Sequence, residues 1–382
     1  LPDEIKKKQI NPNDFEVVDP SSKELSVTVK QGLRTFTKHI CCNLDENRLK
    51  REIGILCHLH HRAILPFVGY YISQSSDEPS VIITGCATNG NLKTIIEKEF
   101  SGHKPEEWNI TKKWICLYGI AKGMEYCHAR SIIHRAIQPE NIQLDGNFEP
   151  KISNFDLAKK AETDQNLRSE MADVNSIYSA PEYLEDSPYD SKIDVYSFGV
   201  LLFFMFSGKT PFAPIPINNY ITRIKNGDRD TKAIDAKWPE SIRQLIQCCW
   251  DANIGRRPTF ADIARFLIQP ENFPPGADVQ SIEDYARQIE SYSECEEAFP
   301  RYSEDQIRQF FATQTSTQSV IWLENGTVTT KKLPVDTIQK KPINSGTSGQ
   351  VFQIEDQGNI YALKRILVND NSFTFTRLIR EV

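Results

Sequence analysis

Side chains that could do chemistry gather in a few short segments of this 382-residue chain. One is His134-Arg135-Ala136-Ile137-Gln138-Pro139-Glu140-Asn141, and another is Asn154-Phe155-Asp156. Lys38 and Glu52 stand fourteen residues apart and could form an ion pair. Alanine can neither accept a proton nor orient a hydroxyl. Asn141 and Asn154 offer neutral carbonyl oxygens, where Mg²⁺ prefers an anionic carboxylate. Near the end of the chain, Gly346-Thr-Ser-Gly349-Gln-Val351 would let a backbone turn come close to a phosphate.

Composition narrows the function classes. At 39% hydrophobic and 25% charged the chain reads as globular, with length enough for two or three domains. A net charge of -6 gives no electrostatic support for nucleic acid or an anionic membrane surface as partner. Nine cysteines without CxxC spacing suggest reduced thiols and a cytoplasmic protein, with no metal ligands assigned. The greasiest run, Val200 to Phe206, is too short to span a bilayer, and no signal peptide is visible.

The elements that must position these groups follow from periodicity. Residues 1–14 read as a polar lead-in. Strand-like runs at Phe15–Val18, Leu25–Val29 and Thr35–Ile40 precede a helix over Asp45–Leu59, with Leu49, Ile53, Leu56 and Leu59 on one face. Two further strand-like runs, Ile64–Ile72 and Ser80–Thr84, complete a β-rich first part. Beyond Asn89-Gly90 the spacing turns helical, in a long amphipathic helix at Thr111–Ala129 and a nearly all-apolar one at Asp194–Phe206. Pro270 to Gly276 punctuates the chain, and Thr313–Ser319 is a polar tract suited to a connection.

In order and spacing these segments resemble the protein-kinase family over residues 15–268. The family's strand lysine falls on Lys38, its helix glutamate on Glu52 and its gatekeeper on Thr84. "IIHRAIQPENIQL" resembles the catalytic loop, "KISNFDLAK" the metal-binding loop, "YSAPEYL" the end of the activation segment and "CCWDANIGRRPTF" a late helix. The resemblance implies an α+β, bilobal fold with a β-rich N-lobe and a mostly helical C-lobe. It also implies structural roles for His134, Arg135, Asp194, and the pair Glu182 and Arg257.

Against the family's pattern, the chemistry is missing. Ala136 stands where the proton-accepting aspartate belongs, Gln138 where a lysine belongs, and Asn154 where the metal-binding aspartate belongs. Asn141 is retained. The stretch Val18-Asp-Pro-Ser-Ser-Lys-Glu-Leu25 holds no glycine to wrap a phosphate chain. The expected function is therefore a pseudokinase, a scaffold or allosteric regulator whose partner is another kinase domain or a signalling protein. The alternative is a weak serine/threonine kinase or nucleotide switch, holding ATP and Mg²⁺ through Lys38, Asn141 and Asn154. Ser169, Ser176, Tyr178 and Ser179 fall in the activation segment, where a phosphate could pair with Arg135.

Residues 335–382 resemble the start of a second kinase N-lobe, following a linker at 269–334 in which residues 277–311, rich in Glu and Gln, could form short helices. Gly346, Gly349 and Val351 match its glycine loop, Lys364 its strand lysine and Glu381 its helix glutamate. The expectation is a truncated copy from a tandem-kinase protein.

Overall fold

The computed structural model describes residues 3–18, 26–31, 34–41, 46–73, 78–161, 177–185 and 187–298, and five strands beyond residue 318. Two units divide the chain, Leu1–Glu296 and Glu297–Val382.

In the first unit a short helix α1 (Asp3–Lys6) leads into strands β1 (Glu16–Val17), β2 (Ser26–Gln31) and β3 (Arg34–Cys41). Helix α2 (Glu46–Leu56) follows, then β4 (Phe67–Tyr71) and β5 (Ser80–Gly85). The strands form one antiparallel sheet in the order β1-β2-β3-β5-β4. Alternating side chains divide its two faces. Val27, Val29, Val81 and Ile83 join Phe15 in a small core on one face. Tyr70 and Ile82 belong instead to the main core, with Leu49, Ile53 and Leu56 of α2.

The predicted lead-in is part of this lobe. Ile5 is buried in the main core, and Gln9 bridges to Tyr70 of β4. Ile10 N donates to Tyr70 O at 2.9 Å, and Tyr70 N donates to Lys8 O at 3.1 Å.

Helices dominate the rest of the unit: α3 (Leu92–Phe100), α4 (Ile110–His128), α5 (Pro181–Leu184), α6 (Lys192–Ser207), α7 (Ile217–Lys225), α8 (Glu240–Cys249), α9 (Phe260–Leu267) and α10 (Val279–Ala298). Between α4 and α5 lie two short antiparallel ribbons. Strand β6 (Ile132–Ile133) pairs with β9 (Lys159–Lys160), and β7 (Ile142–Leu144) pairs with β8 (Pro150–Ile152). Asn109 caps α4 by accepting from Lys112 N at 3.1 Å, and Thr259 with Asp262 forms a capping box on α9. Helix α6 is buried from Ile193 through Met205, as its apolar run predicts, and ends at Gly208 in the left-handed region (φ 67°).

Helix α10 lies within the predicted linker, in the 277–311 stretch whose Glu- and Gln-rich sequence suggested short helices. Ile282, Tyr285, Ala286 and Ile289 are buried, and the Tyr285 ring packs edge-on against Tyr118 of α4 at 6.4 Å. Gly119 permits this approach, since a Cβ there would stand 2.4 Å from the Tyr285 hydroxyl oxygen. Burial of four side chains on one helical face makes α10 an integral element, each contributing on the order of 1–3 kcal/mol.

Taken by itself, the second unit contains β10 (Ser319–Glu324) paired with β11 (Thr327–Lys332), and a three-stranded antiparallel sheet of β12 (Lys341–Gly346), β13 (Gly349–Asp356) and β14 (Asn359–Arg365). Gly346 is opposite Gly349, and Val351 opposite Lys364. Glu381 lies outside the described residues.

Candidate functional site

Helix α6 anchors the loop that follows β6. Asp194 is fully buried; its Oδ2 accepts from His134 N at 2.9 Å and its Oδ1 from Arg135 N at 2.8 Å. His128 of α4 adds a contact to Asp194 Oδ2 at 2.8 Å. Burial alone would raise the Asp194 carboxyl, but the His128 hydrogen bond and charge bring it below its usual value. This carboxylate therefore shapes the loop, holding Arg135 at a positive φ of 66°. The sequence reading did not single out His128.

His134 is completely buried, and its ring stacks edge-on against Phe155 at 4.6 Å. Its Nε2 bonds to Ser153 O at 3.1 Å, a contact that requires an N–H there, and its Nδ1 accepts from Ala136 N at 3.3 Å. Both nitrogens are used in the neutral form, and burial lowers the pKa accordingly. The role is to join loop to loop. Arg135 donates to Leu157 O and reaches the hydroxyls of Tyr183 and Tyr189 at 3.3 and 3.2 Å. Its guanidinium is thus engaged by neutral oxygens.

Ala136 and Gln138 supply no carboxylate and no cation between them. The chain then turns through Pro139–Asn141 into β7, and the Asn141 side chain folds back. Its Nδ2 donates to Ala136 O at 2.9 Å, which fixes the amide and turns Oδ1 toward Asn154. Asn154 Nδ2 donates to that oxygen at 3.2 Å. Asn154 has a φ of 63°, a left-handed conformation that asparagine tolerates better than most residues. The two residues that could hold a metal bond to each other.

Asp156 turns the other way. Its Oδ2 lies 2.9 Å from Arg48 Nη2 on α2, and Arg48 Nε donates to Asp156 O at 3.4 Å. One turn along α2, Glu52 is buried, and among the described residues no ion pair joins it to Lys38. Burial, then the charge of Asp156, pushes the Glu52 carboxyl up to about 7, against the opposing charges of Arg48 and Arg51.

Register explains why the expected Lys38–Glu52 pair does not form. Lys38 stands opposite Val27 and Ile83, so it shares the face of the small core. His39 shares the face of Ile82, which packs with α2. Its Nε2 meets Thr84 Oγ1 at 2.9 Å and its Nδ1 meets Ser26 Oγ at 2.9 Å. Thr84 donates its hydroxyl to Gly85 O at 3.2 Å, so His39 Nε2–H is the donor in this contact. Burial lowers the His39 pKa and keeps the ring neutral. A one-residue step along a strand changes the face, and here it places imidazole where a lysine was expected.

Glu182 and Arg257 form a buried two-point pair, with Nη1–Oε1 at 2.5 Å and Nη2–Oε2 at 3.1 Å. Arg257 Nε also donates to Asp251 O at 2.9 Å, tying α5 to the segment before α9. Tyr178 and Ser179 are buried, with Tyr178 O accepting from Ser197 Oγ at 2.7 Å, so neither is presented for modification. Ser169, Ser176 and the 19–25 stretch lie outside the described residues.

Two of the oxygens that could face a magnesium nucleotide are engaged within the protein. Asn141 Oδ1 is taken by Asn154, and Asp156 Oδ2 is taken by Arg48. Among the described residues no group of three or more His, Cys, Asp or Glu could hold a metal ion, and no helix is long and apolar enough to cross a membrane.

Comparison with known proteins gives the same fold assignment. The family described as protein tyrosine and serine/threonine kinase matches residues 9–267. Serine/threonine-protein kinase VIK of Arabidopsis thaliana is 30% identical over 249 residues, 62% of this chain and 55% of that protein. A putative serine/threonine-protein kinase/receptor, R831, of Acanthamoeba polyphaga mimivirus is 30% identical over 63% of this chain and 14% of its own length. Fibroblast growth factor receptor 1 of Dugesia japonica is 30% identical over 57% of this chain and 26% of its own. The chain thus spans about half or less of these relatives.

Proposed function

Since this chain belongs to the protein tyrosine and serine/threonine kinase family, we propose that its first unit is a pseudokinase, a scaffold or allosteric regulator in kinase signalling that transfers no phosphoryl group. The amide–amide bond between Asn154 and Asn141 carries this reading. Transfer requires a metal clamp on the phosphates and a carboxylate beside the attacking hydroxyl. The first place is occupied by a bond between neutral side chains, and the second by a methyl group at Ala136. Neutral His39 on the α2 face of β3 adds a third deficit, since it brings no positive charge to a phosphate.

Retained elements serve shape. Asp194, His134, Arg135, Glu182 and Arg257 hold the loops through buried hydrogen bonds and an ion pair. A protein that keeps this frame presents a kinase surface to a partner, and we take that partner to be another kinase domain. The antiparallel order of β12 to β14, with Gly346 opposite Gly349, supports reading the second unit as the first strands of a further N-lobe.

The test is ADP formation by the full chain with ATP and Mg²⁺ or Mn²⁺ and generic protein substrates. No turnover above buffer is expected. Turnover abolished by Asn141→Ala overturns the proposal.

A further inference from the structure

We propose that the Arg48–Asp156 ion pair is the tie that sets α2 against the 154–156 loop, a conformational lock that operates without nucleotide. Arg48 reaches the loop twice, through Nη2 to Asp156 Oδ2 at 2.9 Å and through Nε to Asp156 O at 3.4 Å. A guanidinium that contacts both a charge and the adjoining main chain fixes direction as well as distance. The pair is shielded, with the two side chains 22% and 25% exposed.

Both ends of the tie are rooted in the core. On the loop side, Phe155 is buried and packs on His134. On the helix side, Leu49 and Ile53 flank the turn that carries Arg48 and Glu52, and both are buried. A change at either end is therefore transmitted to the other rather than absorbed by a loose side chain.

Glu52 makes the device two-state. It follows Arg48 by four residues on α2, the spacing at which side chains on one helical face meet. An ionised Glu52 competes with Asp156 for the same guanidinium. With Arg48 on Asp156 the helix is tied to the loop; with Arg48 on Glu52 the pairing lies within the helix and the loop is released. A partner that binds one arrangement better shifts the balance between them. The lock is independent of the loss of transfer: its failure would leave the amide–amide bond and the missing carboxylates as they stand.

Hydrogen exchange of the full chain tests it, reading the α2 amides with α9 as control. Arg48→Ala and Asp156→Asn are each expected to speed exchange in α2 by about tenfold, with the double variant no faster than either single one. Arg48→Asp with Asp156→Arg should recover most of the protection. Magnesium ATP should leave the wild-type α2 rate unchanged. If Arg48→Ala does not fold, Arg48→Lys, which keeps charge and loses the fork, is read by the same criteria. Unchanged α2 exchange in the single variants, a double variant equal to the product of both, no recovery in the charge swap, or nucleotide-induced protection of α2 each overturns the proposal.

Discussion

Asn154 donates its side-chain amide to the side-chain oxygen of Asn141 across 3.2 Å, while Asn141 is held in place by its own bond to Ala136 O. The contact joins the two neutral side chains that could have faced a cation. Asn154→Asp removes the donor and sets a carboxylate against the Asn141 oxygen. The variant should lose about 1 kcal/mol of stability without metal, and Mg²⁺ should recover part of it. Thermal melts with and without Mg²⁺ check both halves, and a wild-type melt that shifts equally with Mg²⁺ contradicts the account.

Glu52 gives the domain a pH signature. Its carboxyl is raised from 4.5 to about 7, chiefly by burial and then by Asp156. A carboxyl held above its unfolded value binds its proton more tightly in the folded state. Its contribution is therefore complete below pH 4.5 and is lost as pH rises through about 7. The contribution lost is up to about 3 kcal/mol. Glu52→Gln should flatten this decline in chemical-denaturation curves taken across that window. A slope unchanged by the substitution would count against a raised Glu52 carboxyl.

His39 and Lys38 should behave oppositely. Lys38→Ala removes a side chain on the far face of β3 and should leave the Glu52 titration where it is. His39→Lys places a cation on the α2 side and should lower the Glu52 pKa, at the expense of the contacts to Ser26 and Thr84. Carbon-detected NMR of the carboxyl distinguishes the two. A Glu52 titration that moves with Lys38→Ala and not with His39→Lys reverses the register argument.

The frame is expected to be less forgiving than the cleft. Glu182→Gln leaves Arg257 buried with no opposing charge, and Arg257 is wholly hidden from solvent. A loss of about 3–5 kcal/mol is expected in urea denaturation. Ile289→Asp, which places a carboxylate under α10, should lower stability by at least about 2 kcal/mol. No change in the second variant would mean that α10 does not belong to the packed unit.

Elements and their order were legible because the hydrophobic spacing is strong. Predicted Thr111–Ala129 is observed as Ile110–His128, and the unbroken apolar run after Ser197 is the buried helix α6. His134, Asp194, Glu182 and Arg257 were located by the resemblance of their motifs to the kinase family, not by spacing. What spacing could not decide was facing. Lys38 and His39 are neighbours, and only pairing with β5 shows which of them shares a side with Thr84. The Arg48–Asp156 tie joins residues 108 apart, so its sole local sign is the four-residue step from Arg48 to Glu52. A helix at α10 was legible, but its packing was not, because the Glu and Gln content hid the stripe formed by Ile282, Tyr285, Ala286 and Ile289.

The most direct measurement is Mn²⁺ binding to the full chain in the presence of ATP, followed by electron paramagnetic resonance. With Asn141 and Asn154 bonded to each other, the spectrum should remain that of Mn²⁺ and ATP in solution at every protein concentration. A saturable protein-bound Mn²⁺ signal that disappears in Asn154→Ala would contradict the account.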